Sequence, residues 1–372
     1  MKNNTILFID ALNSKMSDFQ VKKSDTVLLQ KKSFARKVVI LILSFVDFFS
    51  LIFKSLTFSK KKTKIYFTHS SFIKKEGNKN VDVLYNEILD VKNSIFISYD
   101  KFNYFDRVND VKVYNLAVIV RVLDSLNIIK SESKLKNFTR WKFIIEKLAK
   151  RLNENLIYIP AYSNETGLSL LFNKYRDNYT LIEMQHGSVV NYPPYSFISE
   201  IPLVDVFYYK DERSKMFLLQ NLFALHPPKM IIMKSKKLEF LPATAMKELL
   251  YISSFEYNGF HPVFEDFLKT KPVNCHVRVR LHPRQNDIAQ TFIQKLEENK
   301  INFTMDTSKY WYDATPINTT VVSPFSSVIE EAVTAGLKTI IIDAVGATRF
   351  DYLIDGKNCI FSNNLPDLNL IQ

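Results

Sequence analysis

Three short stretches of this sequence hold residue types that could grip a charged ligand or move a proton. The longest is VVSPFSSVIEEAVTAGLKTIIID, residues 321–343. A β-rich run ends at Ser323, Pro324 suits the first position of a helix, and Gly336 is placed to close that helix before the next strand. A helix that leaves a parallel strand directly aims its free N–H groups and positive dipole end beyond the sheet's carboxyl edge, which suits phosphate. Ser326 and Ser327 add hydroxyl donors there, and Glu330 and Glu331 follow a turn later, able to accept from ribose hydroxyls. Ser327 and Glu330 also match the S-x-x-E capping box, which would satisfy the helix end without any ligand.

The second stretch is CHVRVRLHPRQ, residues 275–285, in which Val277, Val279 and Leu281 alternate with Arg278 and Arg280 as on a half-buried strand. Pro283 stops the run and leaves His282 at its carboxyl end, where Arg280, His282 and Arg284 can meet a diphosphate or a nucleotide's sugar. A histidine packed in a turn, with its arginines in solvent, is the competing reading. The third stretch is LIEMQHGSVVNYPPYSF, residues 181–197. Here a strand delivers His186 to its end, and Gly187 removes a side chain so that backbone and ligand can approach. With an ordinary pKa near 6.5, a histidine so placed can take a proton from an acceptor hydroxyl as general base.

Thinner signals sit at other strand ends. Asn164 and Glu165 follow NLIYIPAY (155–162), so Glu165 serves as an alternative base or acceptor contact, or the pair simply caps a helix. His69 ends KIYFTH in the same way, and Ser253 and Ser254 end the run LLYISSF (249–255), where they suit a donor phosphate.

These residues need a scaffold that presents strand ends, and the chain supplies one. Short β-rich runs alternate with helix-period runs: ILFID, KIYFTH (64–69), SIFISY (94–99), VKVYNL (111–116), NLIYIPAY, TLIEMQ (180–185) and VDVFYY (204–209). Residues 81–92, 138–153 and 213–222 read as helices between them. A second series follows a proline- and lysine-containing stretch at 225–245: strands at 249–255, 275–281, 301–305, 318–323 and 338–343, with helices at 262–269, 287–299 and up to Ala335. The alternation predicts α/β architecture with largely parallel sheets, in two domains, residues 1–240 and 241–372. A chain of 372 residues is long enough for two such cores.

Composition narrows the setting. Cys275 and Cys359 are the only cysteines and neither falls in a zinc-type spacing, which implies a reducing compartment and no structural metal. The start MKNNTILFID carries too short an apolar run for a signal peptide, so a cytoplasmic location is expected. The net charge of +12 is concentrated in residues 20–64, which hold eleven Lys/Arg against Asp25 and Asp47. Within that segment Val38 to Phe53 is an apolar stretch interrupted by Ser44, Asp47 and Ser50, shorter than the roughly 20 apolar residues a membrane span needs. It reads either as a buried helix with basic ends in water or as an anchor lying on an anionic inner-membrane surface. Nucleic acid is not expected as a partner, because no recognised module and no interleaved aromatic stacking platform accompany the charge.

Taken together, QHG in one half and RLHPR with SPFSSVIEEAVTAG in the other resemble GT-B glycosyltransferases of bacterial surface polysaccharides. They are similar to the HP and SS motifs of sialyl-, polysialyl- and Kdo-transferases, and to the HG, HPR and SS elements of CDP-glycerol glycerophosphotransferases. The resemblance covers about residues 155–362 and implies that His282, Pro283, Ser326 and Ser327 hold nucleotide phosphates. Glu331-Ala332-Val333-Thr334-Ala335-Gly336 resembles the Glu-Ala-x3-Gly element used against the ribose. Two departures stand out. No acidic pair precedes a glycine as in the sialyltransferases, and Pro324-Phe325 stands where the glycerophosphotransferases have Asp-Tyr. The resemblance implies two Rossmann-like domains facing an interdomain cleft and an inverting, metal-independent transfer. A nucleotide sugar would be the donor, CMP- or CDP-linked or else UDP-linked, used as substrate with no cofactor. The acceptor would be a glycan or glycolipid at the inner membrane. A nucleotide-sugar 2-epimerase-like enzyme and a non-catalytic polysaccharide or membrane assembly factor are the other readings.

Overall fold

The alternating runs form two parallel sheets. The computed structural model describes residues 34–55, 63–69, 72–86, 88–98, 104–116, 155–161, 179–189, 191, 195–233, 238–254, 256–270, 275–308 and 310–363. The run ILFID, the expected helix at 138–153, and Asn164 with Glu165 lie outside these residues. The chain divides into two compact units: Met1–Gly187 with Pro193–Met233, and Ser188–Tyr192 with Lys234–Gln372.

The first unit begins, among the described residues, with helix α1 (Phe34–Ser55). Its strands are β1 (Lys64–Thr68), β2 (Ile73–Glu76), β3 (Lys79–Asp82), β4 (Ser94–Ser98), β5 (Arg107–Val108), β6 (Val111–Asn115), β7 (Asn155–Ala161), β8 (Tyr179–Gln185), β9 (Val206–Tyr209) and β10 (Lys229–Ile232), with α2 (Glu212–Gln220) after β9. Eight of them form one sheet in the order β10-β9-β8-β7-β1-β4-β6-β5. Every pairing is parallel except β5 with β6, where Asn109 and Asp110 turn the chain at φ 49° and 62°. Two positive φ values in a two-residue loop are what a tight hairpin requires. The strands are apolar on both faces because both are covered, as a parallel sheet demands. Tyr66 stacks on Tyr158 at 4.5 Å between ring centres, and the Tyr85 hydroxyl donates to the Phe67 carbonyl at 2.8 Å, so the aromatic core satisfies its polar ends.

Residues 81–92 do not form the expected helix. Asp82 ends the β2–β3 hairpin, and its carboxylate accepts the N–H groups of Leu84 at 2.9 Å and Tyr85 at 3.3 Å. An aspartate that takes these donors offers the backbone a turn in place of a helical ladder. Leu84 and Tyr85 are buried from that turn, which imitates a helical apolar spacing in the sequence.

The second unit contains β11 (Lys247–Ile252), α3 (Pro262–Lys269), β12 (Cys275–Arg280), α4 (Ala289–Glu298), β13 (Phe303–Met305), β14 (Thr320–Ser323), α5 (Val328–Thr334), β15 (Lys338–Ile341), α6 (Ala344–Arg349) and β16 (Cys359–Phe361). Its sheet is wholly parallel, in the order β13-β12-β11-β14-β15-β16. The first strand lies inside, the next two extend to one side, and the fourth crosses to the other. The first unit repeats this plan with β1, then β4 and β6, then β7 on the opposite flank. Both units are Rossmann-like, and each has a switch point where chain direction along the sheet reverses: β1/β7 in one, β11/β14 in the other. Ligands of such sheets bind outside the carboxyl ends of the strands at that point.

Candidate functional site

At the second unit's switch point the carboxyl ends of β11 and β14 carry Ser253, Ser254 and Ser323, and the neighbouring β12 carries His282. Gln285 ties these ends together. It is buried, and its Nε2 donates to the carbonyls of Ser254 at 2.9 Å and Tyr257 at 2.6 Å. Its Oε1 accepts from the Ser253 hydroxyl at 2.5 Å, while the Ser253 oxygen accepts the His282 N–H at 2.7 Å. Ser254 donates to Glu256, and Ser323 to the Ile252 carbonyl at 2.9 Å. All three serines are buried and spend these hydrogen bonds holding the edge together. Arg280 is drawn the other way, its Nη1 donating to Asp306 at 3.0 Å and to the Ser308 carbonyl at 3.1 Å.

β12 differs from its expected half-buried pattern. Arg278 is buried, not in solvent, with its guanidinium against Glu248 at 3.2 Å and donating to the Ala314 carbonyl and the Thr315 hydroxyl. Pro283 and Arg284 open a 3-10 turn, Pro283–Ile288, so His282 sits at the strand end as expected.

The SPFSS segment forms a bend, not a helix start: α5 begins at Val328, four residues beyond Pro324. The capping box does not form, since Ser327 makes no side-chain cap. Ser326 takes that role, its hydroxyl accepting the Val328 N–H at 3.3 Å. Glu331 accepts the indole N–H of buried Trp311 at 2.7 Å, and buried Glu330 accepts the Tyr352 hydroxyl at 3.3 Å. Ser327 is exposed and Ser326 partly so. Gly336 closes α5 with φ +80°, its N–H and that of Leu337 reaching back to Val333 and Ala332.

A second helix fixes this bend from behind. Asp343 caps α6 by accepting the N–H groups of Val345 at 2.7 Å and Gly346 at 3.0 Å. Burial alone would raise its carboxyl, but hydrogen bonds from His261, Tyr257 and those N–H groups outweigh it and hold Asp343 at about 2. A Cβ on Gly346 would stand 2.0 Å from the Pro324 carbonyl oxygen, so α6 touches the bend through bare backbone. The Arg349 guanidinium lies 4.3 Å from the Phe325 ring centre. The segment Ser188–Tyr192 also belongs to this unit: Ser188 donates to the Ser327 carbonyl at 3.4 Å, and the Asn191 side chain to Asp351 at 2.8 Å.

In the first unit, β8 delivers Gln185, His186 and Gly187 to its carboxyl end. Buried Gln185 braces the turn, donating to the Gly187 carbonyl at 3.1 Å and the Ser214 hydroxyl at 3.3 Å and accepting the Lys210 N–H at 2.9 Å. The Lys210 ammonium donates to the His186 carbonyl at 2.9 Å, and the His186 ring meets Phe72 edge-on at 4.7 Å. Phe72 follows His69 at the end of β1, where Thr68 donates to Asp82. A Cβ on Gly187 would meet nothing within 4 Å, so the protein's own packing does not demand glycine there. Burial pushes the Asp82 carboxyl up to about 6, against the hydrogen bonds it accepts.

Gln285, Gly346 and Trp311 were not singled out by sequence reasoning, because each acts by position. A glutamine three residues after His282 acquires meaning only once two strand ends lie side by side. Among the described residues no cluster of three His, Cys, Asp or Glu could hold a metal ion.

No protein-family model matches the chain, and no curated protein matches it in sequence. Among solved structures it is similar to a calicheamicin glycosyltransferase, at 9% identity and TM-score 0.47 over 84% of this chain and 88% of that one. MurG of Acinetobacter baumannii aligns at 9% identity and TM-score 0.42 over 83% and 89%. The UDP-GlcNAc 2-epimerase of Neisseria meningitidis aligns at 11% and 0.41 over 83% and 89%. With TM-scores below one half these likenesses carry no chemistry, and the fold rests on the strand order described above.

Proposed function

We propose that the chain is a glycosyltransferase that moves a sugar from a nucleotide donor to a surface polysaccharide or lipid-linked acceptor. The supporting observation is the second unit's switch point. There His282, after β12, and the Ser326–Ser327 bend, after β14, flank the carboxyl end of β11, while buried Ser253, Ser254, Ser323 and Gln285 spend their hydrogen bonds holding that edge. The sequence resemblance of HPR and SPFSS to nucleotide-binding elements points to the same place. α5 has only seven residues. The proposal therefore assigns charge neutralisation to hydroxyl and N–H donors of the bend and to His282 and Arg284, and little to a helix dipole. Such fixed donors stabilise charge developing on the leaving phosphates. His186 is assigned as the base that deprotonates the acceptor hydroxyl for a single inverting displacement. CMP- or CDP-linked donors are favoured, with UDP next, and the enzyme is placed at the inner face of the membrane.

Calorimetric titration with CMP, CDP, UDP and GDP tests the reading. One nucleotide should bind, and Ser326→Ala combined with Ser327→Ala should weaken it at least tenfold, since hydrogen bonds to charged groups are worth about 1.5–3 kcal/mol each. Unchanged affinity in the double variant would remove the phosphate assignment. Turnover of a UDP-sugar without acceptor would indicate an epimerase, and absence of all nucleotide binding an assembly factor.

A further inference from the structure

Helix α1 is amphipathic in the inverse sense. Its inward stripe holds Ser44, Asp47 and Leu51, all buried. Ser44 donates to the Ile40 carbonyl at 2.8 Å. Asp47 accepts the backbone N–H and the side-chain amide of Asn115 at the end of β6, both at 3.0 Å, and meets the Lys112 ammonium at 3.3 Å. Turning the helix about its axis would strip a buried carboxylate of these partners, a costly change. The rotation is therefore fixed with the opposite stripe outward: Val39, Ile42, Val46, Phe49 and Phe53 are 53%, 57%, 60%, 55% and 70% exposed. The buried-helix reading of the sequence did not anticipate this arrangement, because polar interruptions in an apolar run ordinarily face water.

We propose that this outward stripe docks on an anionic lipid bilayer, with α1 lying in the interfacial plane. This deepens the membrane part of the reading above and does not depend on its catalytic part. The helix spans 22 residues, about 33 Å at 1.5 Å per residue. Among the described residues no helix is long and apolar enough to cross a membrane. Charge selects the occupant. Residues 20–64 hold eleven basic side chains, and of their two acidic ones Asp47 is already engaged inside the unit. A second copy would set two such basic segments against each other, and residues 1–33 and 117–154 of this chain are themselves net positive. An anionic bilayer supplies both an apolar receptor and the counter-charge.

The test is co-sedimentation of the full chain with phosphatidylcholine–phosphatidylglycerol vesicles and with pure phosphatidylcholine vesicles. The wild type should bind the anionic vesicles, weaken as salt is raised, and bind neutral ones poorly. The combined variant Ile42→Ser, Phe49→Ser, Phe53→Ser should lose at least tenfold in vesicle affinity while keeping its unfolding temperature, its mass by light scattering and its nucleotide affinity. Equal binding of variant and wild type, no wild-type preference for anionic vesicles, or no vesicle binding at all would overturn the proposal. A variant that melts several degrees lower, or changes oligomeric mass, would also overturn it, since the stripe would then be covered by protein. Nucleotide affinity in the same variant keeps this outcome separate from that of the enzymatic reading.

Discussion

Gly346→Ala tests the link between α6 and the Ser326–Ser327 bend. On helix propensity alone the change is favourable by about 1 kcal/mol, because alanine is the better residue inside a helix. Packing opposes it. The added Cβ would stand 2.0 Å from the Pro324 carbonyl oxygen and 3.0 Å from both Ile341 Cγ2 and Phe325 Cβ. A carbon and a carbonyl oxygen settle at about 3.3 Å or more, so the two backbones must part by roughly 1.3 Å. Overpacking costs about 1–3 kcal/mol, and a backbone clash this close belongs at the upper end of that range, so it exceeds the propensity gain. The nearest obstacle is backbone, with no flexible side chain to swing aside, so the strain falls on the bend that carries the two serines. The second unit should lose about 1–2 kcal/mol and melt lower by about 2–8 °C in calorimetry. Nucleotide affinity should fall about tenfold, the worth of one misaligned hydrogen bond to a charged group. Gly187→Ala is the control, since its Cβ meets nothing within 4 Å and the melting temperature should hold. A Gly346→Ala protein that melts at or above wild type and binds nucleotide normally would refute the reasoning.

Two further outcomes are expected. His186→Ala should bind nucleotide as wild type does yet lose about 10²- to 10⁴-fold in turnover with acceptor, and near-normal turnover would pass the assignment to Glu165. Asp82→Asn should change the pH dependence of stability. Burial raises the Asp82 carboxyl to about 6 from 3.8, so its stabilising neutral form is complete below pH about 4 and is lost as pH rises through about 6. A shift of two units corresponds to about 3 kcal/mol. The amide should therefore be more stable than the carboxylate at pH 8 by up to that amount and gain nothing at pH 4. Parallel melting-temperature profiles for the two proteins between pH 4 and 8 would contradict this.

Strand periodicity made most of the fold legible. Runs such as 64–69, 94–99 and 275–281 became strands within a residue or two of their expected ends, because buried strands leave short β-rich runs, apolar in the first two and alternating with arginine in the third. Local turn chemistry was harder to read. Asn109-Asp110 closes a hairpin without the glycine that usually announces one, and Asp82 ended a helical pattern through its own side chain. At the candidate site the strand-end positions of His186, His282 and Ser323 followed from where the runs stopped. What the glutamates do did not follow, since the indole of Trp311, twenty residues away, reaches Glu331. Polar positions in α1 were visible as a stripe, but which way the stripe faced depended on Asn115 and Lys112, far along the chain.

The excursion of Ser188–Tyr192 has a consequence for how the protein can be made and cut. The chain passes from the first unit to the second after Gly187, returns at Pro193, and leaves again after Met233. The second unit is thus not a continuous stretch of polypeptide. Asn191 bonds the Arg349 carbonyl at 2.7 Å and the Asp351 carboxylate at 2.8 Å, contacts that span about 160 residues of sequence. During synthesis those five residues emerge long before their partners, and closing so long a loop comes late because its entropy is spent before the contact returns anything. A fragment beginning at Lys234 would carry the whole second sheet yet lack the peptide that bonds Ser327, Arg349 and Asp351, so dissection of this protein at its obvious linker yields an incomplete second unit.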